Sequence, residues 1–449
     1  MIKINLIART SENPTNLISH AAKTCYTSTL PEMGNTMDVE NNLFKTGHHT
    51  TFQHNFFTFS IEGLSVSSTI FGLHLTHPFY NTDQRSGRFS KMYAKPDFKE
   101  IENYIMSFWY DCNIEKVMNF VKKGREIFAE NIEKATELVI EQIKKERPNA
   151  NEDYIKLNAP KIAQEQLRMF ISTISPTALD FSINLSGLAA IYRSAWSQEM
   201  RYMTEQMKIL VLAEYPELLY VFKDNIRRTD DWSPKFDFKN FTIKKEPKLD
   251  VLDIDLSKDM VLQTNAKDSV DIRYFTPESM ENNINTVKTK VEFSLATMAQ
   301  DQRHRTIKRG SPLLTGGFYL PPIMQEMNLE KTTEDFLNMY RDIIETENKN
   351  LAVALAPYGV MASYTKLSDI NALIHEQEKR LCWSTQEEIY NASKQLHDIL
   401  MDSNNILAKD LARHLKPACY KDRCIEGRRY CGRDLTKVKN SEELPNRKI

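Results

Sequence analysis

The feature that most constrains this 449-residue chain is an order of elements that begins twice. Apolar strand-like and helix-like stretches run to residue 223, and Asp224 to Asp250 then turns to Asp, Lys, Asn and Thr with two prolines. After this break the pattern starts again at the apolar stretch Val291 to Met298. Such a break reads as a linker, with Trp232, Phe236, Phe238 and Phe241 letting it pack in part. The length suffices for two or three domains, so the similar order of the halves makes internal duplication the first hypothesis.

Within the first half, Asn55 to Gly63 is aromatic and β-branched, ends at a glycine and fits a strand, with a helix over Ser65 to Leu75. From Ile114 to Arg147 apolar residues recur at three- and four-residue steps, which predicts a long amphipathic helix. A helical block from Tyr154 to Leu212 is expected to break near Ser175-Pro176, because proline removes a donor and clashes with the preceding turn. In the second half, Thr333 to Leu351 and Leu367 to Leu400 read as helices. Ser368 is the expected N-cap of the latter, with Asp369 in its first turn.

The 59 basic and 60 acidic residues give a net charge of -1, so no global field recruits nucleic acid or a membrane, and an anionic ligand must be met by a local cluster. No stretch approaches the apolar length of a membrane span, and Met1 to Arg9 is too short an apolar run for a signal peptide, so a cytoplasmic protein is expected. Two local clusters stand out. Gln300-Asp301-Gln302-Arg303-His304-Arg305 packs two fork-shaped donors and an imidazole into three positions, which suits phosphates or the ring edge of a nucleotide or flavin. Ser86-Gly87-Arg88-Phe89-Ser90-Lys91 offers a hydroxyl, an open backbone N–H and a bidentate arginine, which suits a phosphate. A solvated basic turn and helix-terminal polar residues are the plain alternatives.

Taken together, Thr51-Phe52-Gln53-His54, the strand after it and the Ser-Gly-Arg run resemble the flavin-dependent thymidylate synthases. In the second half the Gln-x-x-Arg-His-Arg run, Phe318-Tyr319-Leu320-Pro321-Pro322, Ala356-Pro357-Tyr358-Gly359 and the segment Ile374 to Ile389 resemble the same family in the same order. The resemblance implies an α/β (α+β) fold of two tandem synthase-like domains, each a mixed or antiparallel sheet with long helices. Residues 1–223 would form the first and 251–410 the second, with 224–250 as linker and 411–449 as a Cys-containing tail standing apart.

Each half departs from the family where the other conforms. Leu73-His74-Leu75 occupies the first half's Arg-His-Arg position, no Ser-Gly-Arg follows the second half's intact copy, and Val353 stands where Arg168 is retained. Ser172 replaces the proline of the segment headed by Arg168. Because the family's nucleotide site lies between subunits, the resemblance implies one composite dUMP site of Gln84, Arg85, Ser86, Gly87, Arg88 and Arg168 with Gln300, Arg303 and Arg380. Arg193 would belong to a decayed mirror site.

The implied reaction is reductive methylation of dUMP to dTMP with FAD, NADPH and methylenetetrahydrofolate, Arg380 having the chemical role. FAD would meet His48, Thr50, Arg303, His304, Arg305, Asn371 and His375, and two chains would pair into a pseudo-tetramer. A catalytically inactive nucleotide- or flavin-binding relative, or transfer of a one-carbon unit to another pyrimidine nucleotide, are the other readings. Cys25 and Cys382 are expected as buried thiols. In the tail, His414, Cys419, Cys424 and Cys431 are candidate zinc ligands at unusual spacings, with surface-packed reduced thiols as the default.

Overall fold

The computed structural model describes residues 2–75, 80–90, 96–223, 234–265, 267–421, 423–439 and 441–449; Lys91, Trp232 and most of the polar break at 224–233 lie outside them. The first sheet contains β1 (Lys3–Arg9), β2 (Phe56–Ser65), β3 (Tyr80–Gln84) and β4 (Pro176–Asn184) in the order β1-β2-β4-β3, antiparallel throughout. The second adds β5 (Lys235–Phe236), β6 (Thr242–Lys244), β7 (Lys248–Asp255), β8 (Thr286–Ser294), β9 (Lys308–Arg309), β10 (Leu313–Tyr319) and β11 (Val360–Asp369). Its antiparallel path β7-β8-β11-β9 repeats the path of the first sheet, and the inserted β10 pairs with β11 and with the short β5 and β6.

Several sequence expectations are corrected. The break in the helical block is strand β4, whose buried Thr177, Leu179, Phe181 and Ile183 alternate with less buried neighbours; this period of two lay hidden between helical stretches. Leu367 to Asp369 ends β11, and Asp369 itself caps the Ile370–Arg380 helix by accepting from Ala372 N, so Ser368 is not the cap. The Thr333 to Leu351 helix is two helices, Glu330–Thr346 and Lys349–Leu355. The end of the expected linker is sheet edge, with Phe238 meeting Phe236 edge-on and Phe241 at a tilt.

Both halves share one hydrophobic core. The long helix Ile114–Glu146 starts where the Asn113 side chain accepts from Lys116 N, and it buries Val117, Phe120, Val121, Gly124 and Phe128. Phe120 stacks on Phe336 (4.8 Å) and Tyr340 (5.4 Å) of the Glu330–Thr346 helix, so a helix of one half fills the core of the other. The segments 169–173 and 355–359 also cross as an antiparallel pair. Thr173 N donates to Ala356 O (2.9 Å), Tyr358 N to Ile171 O (3.0 Å) and Gly359 N to Met169 O (2.9 Å). Ser172, in the expected proline's place, bridges Pro357 and donates its hydroxyl to Leu355 O (2.8 Å).

A second core joins the Ile370–Arg380, Glu387–Asp402 and Ile406–His414 helices to Tyr420, Cys431, Val438 and Leu444. The tail is therefore packed into the fold and does not stand apart, because its apolar residues cover the outer faces of those helices. Among the described residues no helix is long and apolar enough to cross a membrane.

Gly124 lets the long helix touch the crossing: a Cβ there would collide with the Phe170 carbonyl and press on the Phe336 ring. Gly124→Ala is expected to lower stability by about 1–3 kcal/mol through forced backbone movement. Urea unfolding checks this, and a midpoint equal to or above that of the parent would contradict it.

Candidate active site

The two clusters singled out in the sequence meet at the junction of the halves. After β3 the chain turns at Ser86, whose hydroxyl accepts from Arg88 N (3.3 Å) and whose carbonyl accepts from Ser90 N (3.0 Å). Gln164 fixes the turn from the Glu152–Leu167 helix by donating to Gly87 O (3.0 Å) and Ser90 O (2.8 Å). This aims Arg88 across the junction, where it pairs with Glu165 and donates to Ser384 O (2.8 Å).

From the other side, Ser294 caps the Leu295–Asp301 helix and delivers Gln300 and the Arg-His-Arg run to β3. Arg303 donates to Thr82 O and Gln84 Oε1 (both 3.3 Å), and Arg305 donates to Asn81 Oδ1 (2.7 Å) and Thr82 O (3.0 Å) while lying over Tyr80. Arg380 donates to Gln300 O (2.6 Å). Gln386 then bridges the halves, its Oε1 accepting from Gln300 Nε2 (2.5 Å) and Arg168 Nη2 (2.7 Å).

Asp301 holds this arrangement. It is fully buried and accepts from Arg309 Nε (2.6 Å), Lys366 Nζ (2.5 Å) and Tyr364 OH (2.9 Å). Arg309 in turn donates to the carbonyls of His304 and Ile307 (both 2.9 Å), which closes the loop around the Arg-His-Arg run. Burial pushes the Asp301 carboxyl up, but Arg309 and Lys366 outweigh it and hold it well below the usual range. Burial, reinforced by Arg380, keeps His304 neutral at pH 7. Arg380 is lowered to about 10, by burial first and then by Arg88 and Arg303 against Glu376 and Asp301, and it stays a cation at neutral pH.

The same place also collects buried polar atoms without a partner among the described residues: Arg168 Nε, Gln300 Oε1, Gln302 Oε1, His304 Nε2, Arg380 Nε and Gln386 Nε2. Such atoms are costly unless a polar ligand meets them. Beside them lies a cavity of about 260 Å³ lined by Arg88, Phe89, Lys379, Arg380 and Ser384.

The pseudo-equivalent place in the opposite sense is narrowed by aromatic side chains. Ser65 and Ser294 play the same part, each capping a helix after a strand and bonding a buried glutamate, Glu199 or Glu388. Beyond those serines, Phe71 stands where Gln300 stands, and the Phe71 carbonyl accepts from Trp196 Nε1 (2.8 Å) where the Gln300 carbonyl accepts from Arg380. Phe71, Trp109, Trp196 and Val353 line what is left, a cavity of about 30 Å³, together with polar residues that include Ser67, Gln198 and Glu199. Arg193 points away to Val221 O (3.2 Å) and lies over Phe44.

Not every expected site residue is brought here. Arg85 is exposed and reaches toward Glu62 at 4.0 Å on the sheet surface. His48 and Thr50 are exposed at the turn into β2, which packs on first-half helices. Asn371 is fully buried and its amide is hydrogen-bonded within the fold, to Asn282, Asn283 and Ser279 O. His375 is half-buried with its ring 5.8 Å from that of His304. Cys25 is exposed at the end of the Pro14–Thr24 helix and Cys382 is half-buried, so neither is a core thiol. His414 bonds its own helix through Asp410 O (2.9 Å). Among the described residues no group of three or more His, Cys, Asp or Glu stands ready to hold a metal. The bridging Gln386 and the anchors Asp301, Glu165 and Lys366 were missed; the only sequence signal was an acidic residue inside a basic run.

Fold and cleft together define a protein in which two sheets of like topology build one polar site across their junction. Residues 5–217 match the family model described as thymidylate synthase complementing protein, the family that the spaced motifs resemble. Among solved structures the chain is similar to thymidylate synthase X from Helicobacter pylori with FAD and dUMP, at 19% identity and a TM-score of 0.32, over 51% of this chain and all of that one. It is also similar to the UMP/dUMP methylase PolB from Streptomyces cacaoi bound with 5-Br dUMP, at 16% identity and a TM-score of 0.31, over 51% of this chain and 98% of that one. No curated protein matches the chain.

Asp301→Asn removes the charge that Arg309 and Lys366 share, and it is expected to cost about 3–5 kcal/mol as a broken buried pair. The depressed carboxyl gives stability that is present above its unfolded value near 3.8 and lost as pH falls through its folded one. Denaturant unfolding at pH 7 reads this, and an unchanged free energy would contradict it.

Proposed function

We propose that the chain is a flavin-dependent thymidylate synthase with one composite nucleotide site, converting dUMP to dTMP. On this reading residues 1–223 and 251–410 are two synthase-like domains joined by 224–250 and followed by the 411–449 tail. The observation that carries the proposal is the asymmetry of the junction. One side gathers Arg88, Arg168, Arg303 and Arg380 with two buried amide atoms, Gln300 Oε1 and Gln386 Nε2, that have no partner among the described residues, while the other is filled in part by Phe71 and Trp196.

In the polar side, Arg88 and the Ser86–Gly87 backbone suit the phosphate of the nucleotide. The free Gln300 Oε1 and Gln386 Nε2 offer an acceptor and a donor, as the imide edge of uracil requires. Arg380 is a fixed cation that favours the electron-rich, N3-deprotonated pyrimidine, whose C5 must attack the methylene carbon carried by methylenetetrahydrofolate. FAD fits beside it. His304 is neutral with a free Nε2, His375 faces it, and the half-buried Arg305 can meet the flavin's phosphates. When bound, FAD supplies the hydride, and NADPH restores it. Pairing of two chains into a four-domain assembly belongs to the same reading.

Titration calorimetry with dUMP tests the composite site. The parent chain is expected to bind one dUMP, and Arg88→Ala and Arg380→Ala each to weaken it by about 1.5–3 kcal/mol, roughly ten- to a hundredfold. Arg193→Ala is expected to bind like the parent. Loss of binding in Arg193→Ala with normal binding in Arg88→Ala would place the nucleotide elsewhere, and absence of dTMP formation by the parent with all substrates would remove the enzyme reading.

A further inference from the structure

The turn 381–386, between the Ile370–Arg380 and Glu387–Asp402 helices, carries groups that face the cleft: Ser384 and Thr385 line its cavity of about 260 Å³, and Gln386 bridges Gln300 and Arg168. A turn has no ladder to pair its backbone, so its carbonyls need partners from elsewhere. Three successive ones take three different arginines. Trp383 O accepts from Arg147 Nη2 (3.3 Å), Ser384 O from Arg88 Nη2 (2.8 Å) and Thr385 O from Arg447 Nη2. Arg88 is the member of this set that a phosphate competes for, which leaves Arg147 and Arg447 to hold the turn when the site is occupied.

Both of those arginines are fixed by the segment 445–449. Arg147 Nη2 also donates to Ile449 O (2.8 Å), and Ile449 is buried in the core that the halves share. Tyr390 OH donates to Pro445 O (2.6 Å), and the Arg447 guanidinium lies over the same tyrosine ring at 4.7 Å. From the first half, Gln166 Nε2 donates to Lys448 O (2.8 Å), and Glu146 Oε1 accepts from Lys448 N (2.7 Å). The segment thus ties Glu146, Arg147 and Gln166 of one half to Thr385 and Tyr390 of the other.

We propose that residues 445–449 are a strap that holds the Ser384–Gln386 turn in register with Gln300 and Arg168, and that Arg447 is its positioning residue for nucleotide binding. This rests on the composite site proposed above. Thr385 directly precedes Gln386, whose amide both bridges the halves and offers its Nε2 to the ligand, so a shift at the Thr385 carbonyl moves the amide. Such a constellation works only within about 0.5 Å of its productive geometry. A planar guanidinium can stack on Tyr390 and reach the carbonyl at once, which an ammonium does less well. Arg447 is buried, yet its Nε and Nη1 have no partner among the described residues. A guanidinium left in this state is a costly way to stabilise a core, and its use here is to place the turn.

A double-mutant cycle read by dUMP titration tests the strap. Arg447→Ala is expected to weaken dUMP binding by roughly tenfold, the worth of one well-placed hydrogen bond, and Arg447→Lys by less. Gln386→Ala is expected to weaken binding as well. Arg447→Ala added to Gln386→Ala should then cost little more, because both act on one amide. A residue that merely stabilised the fold would lower the urea midpoint and leave the Kd of the folded protein unchanged. Lys448→Ala, which loses only the exposed pair with Glu326, should bind like the parent. If Arg447→Ala does not fold, the same cycle is run with Arg447→Lys. Parent-like dUMP affinity in the folded Arg447 variant, or full additivity with Gln386→Ala, would overturn the strap and leave the composite site standing. A parent that binds no dUMP would remove the composite site, and the role of the strap with it.

Discussion

The structure depends on the crossing of 169–173 over 355–359. A backbone crossing buried among apolar side chains must satisfy its own N–H and C=O groups, and here each segment supplies the other's partners: Thr173 N to Ala356 O, and Tyr358 N to Ile171 O. The halves therefore cannot slide or separate without exposing unpaired backbone. Arg168, at the start of one segment, is held against Tyr358 in the other, and it reaches Gln386 across the junction. The geometry of the site thus follows from the geometry of the crossing.

A junction built this way produces two pseudo-equivalent clefts, and the chain treats them in opposite ways. One is filled with Phe71, Trp109 and Trp196, and contributes to the core. The other accumulates like charges, Arg88, Arg303 and Arg380, which is unfavourable in a fold that binds nothing. Glu165 pairs with Arg88, while Asp301 and Glu376, paired with Arg309 and Lys366, also offset the charge of Arg380. Nearby Glu387 is raised to about 8, by burial first and then by Glu165 and Glu388, so the acids crowd one another as well. Local strain of this kind is what a binding site retains and a structural core removes.

Much of this was legible in the chain. The long helix over 114–146 declared itself through its apolar period, and β2 through its aromatic and β-branched run. The convergence of Arg88 with Arg303 and Arg380 followed from two motifs that were each incomplete. What escaped depended on tertiary partners. Strand β4 lay between helices, and its alternation became decisive only beside β2 and β3. That Asn371 bonds Asn282 and Asn283 inside the fold is a tertiary pairing no local pattern shows. The tail read as an appendage because its apolar residues are sparse in sequence, although they converge on one helical surface.

The central claim is that one nucleotide lies between the halves on the polar side of the crossing. Crystals of the chain grown with 5-bromo-dUMP would locate the pyrimidine directly by bromine anomalous scattering. The account predicts a single bromine peak per chain in the cleft bounded by Gln300, Arg380 and Gln386. A peak beside Phe71 and Trp196, or equal peaks in both clefts, would contradict it.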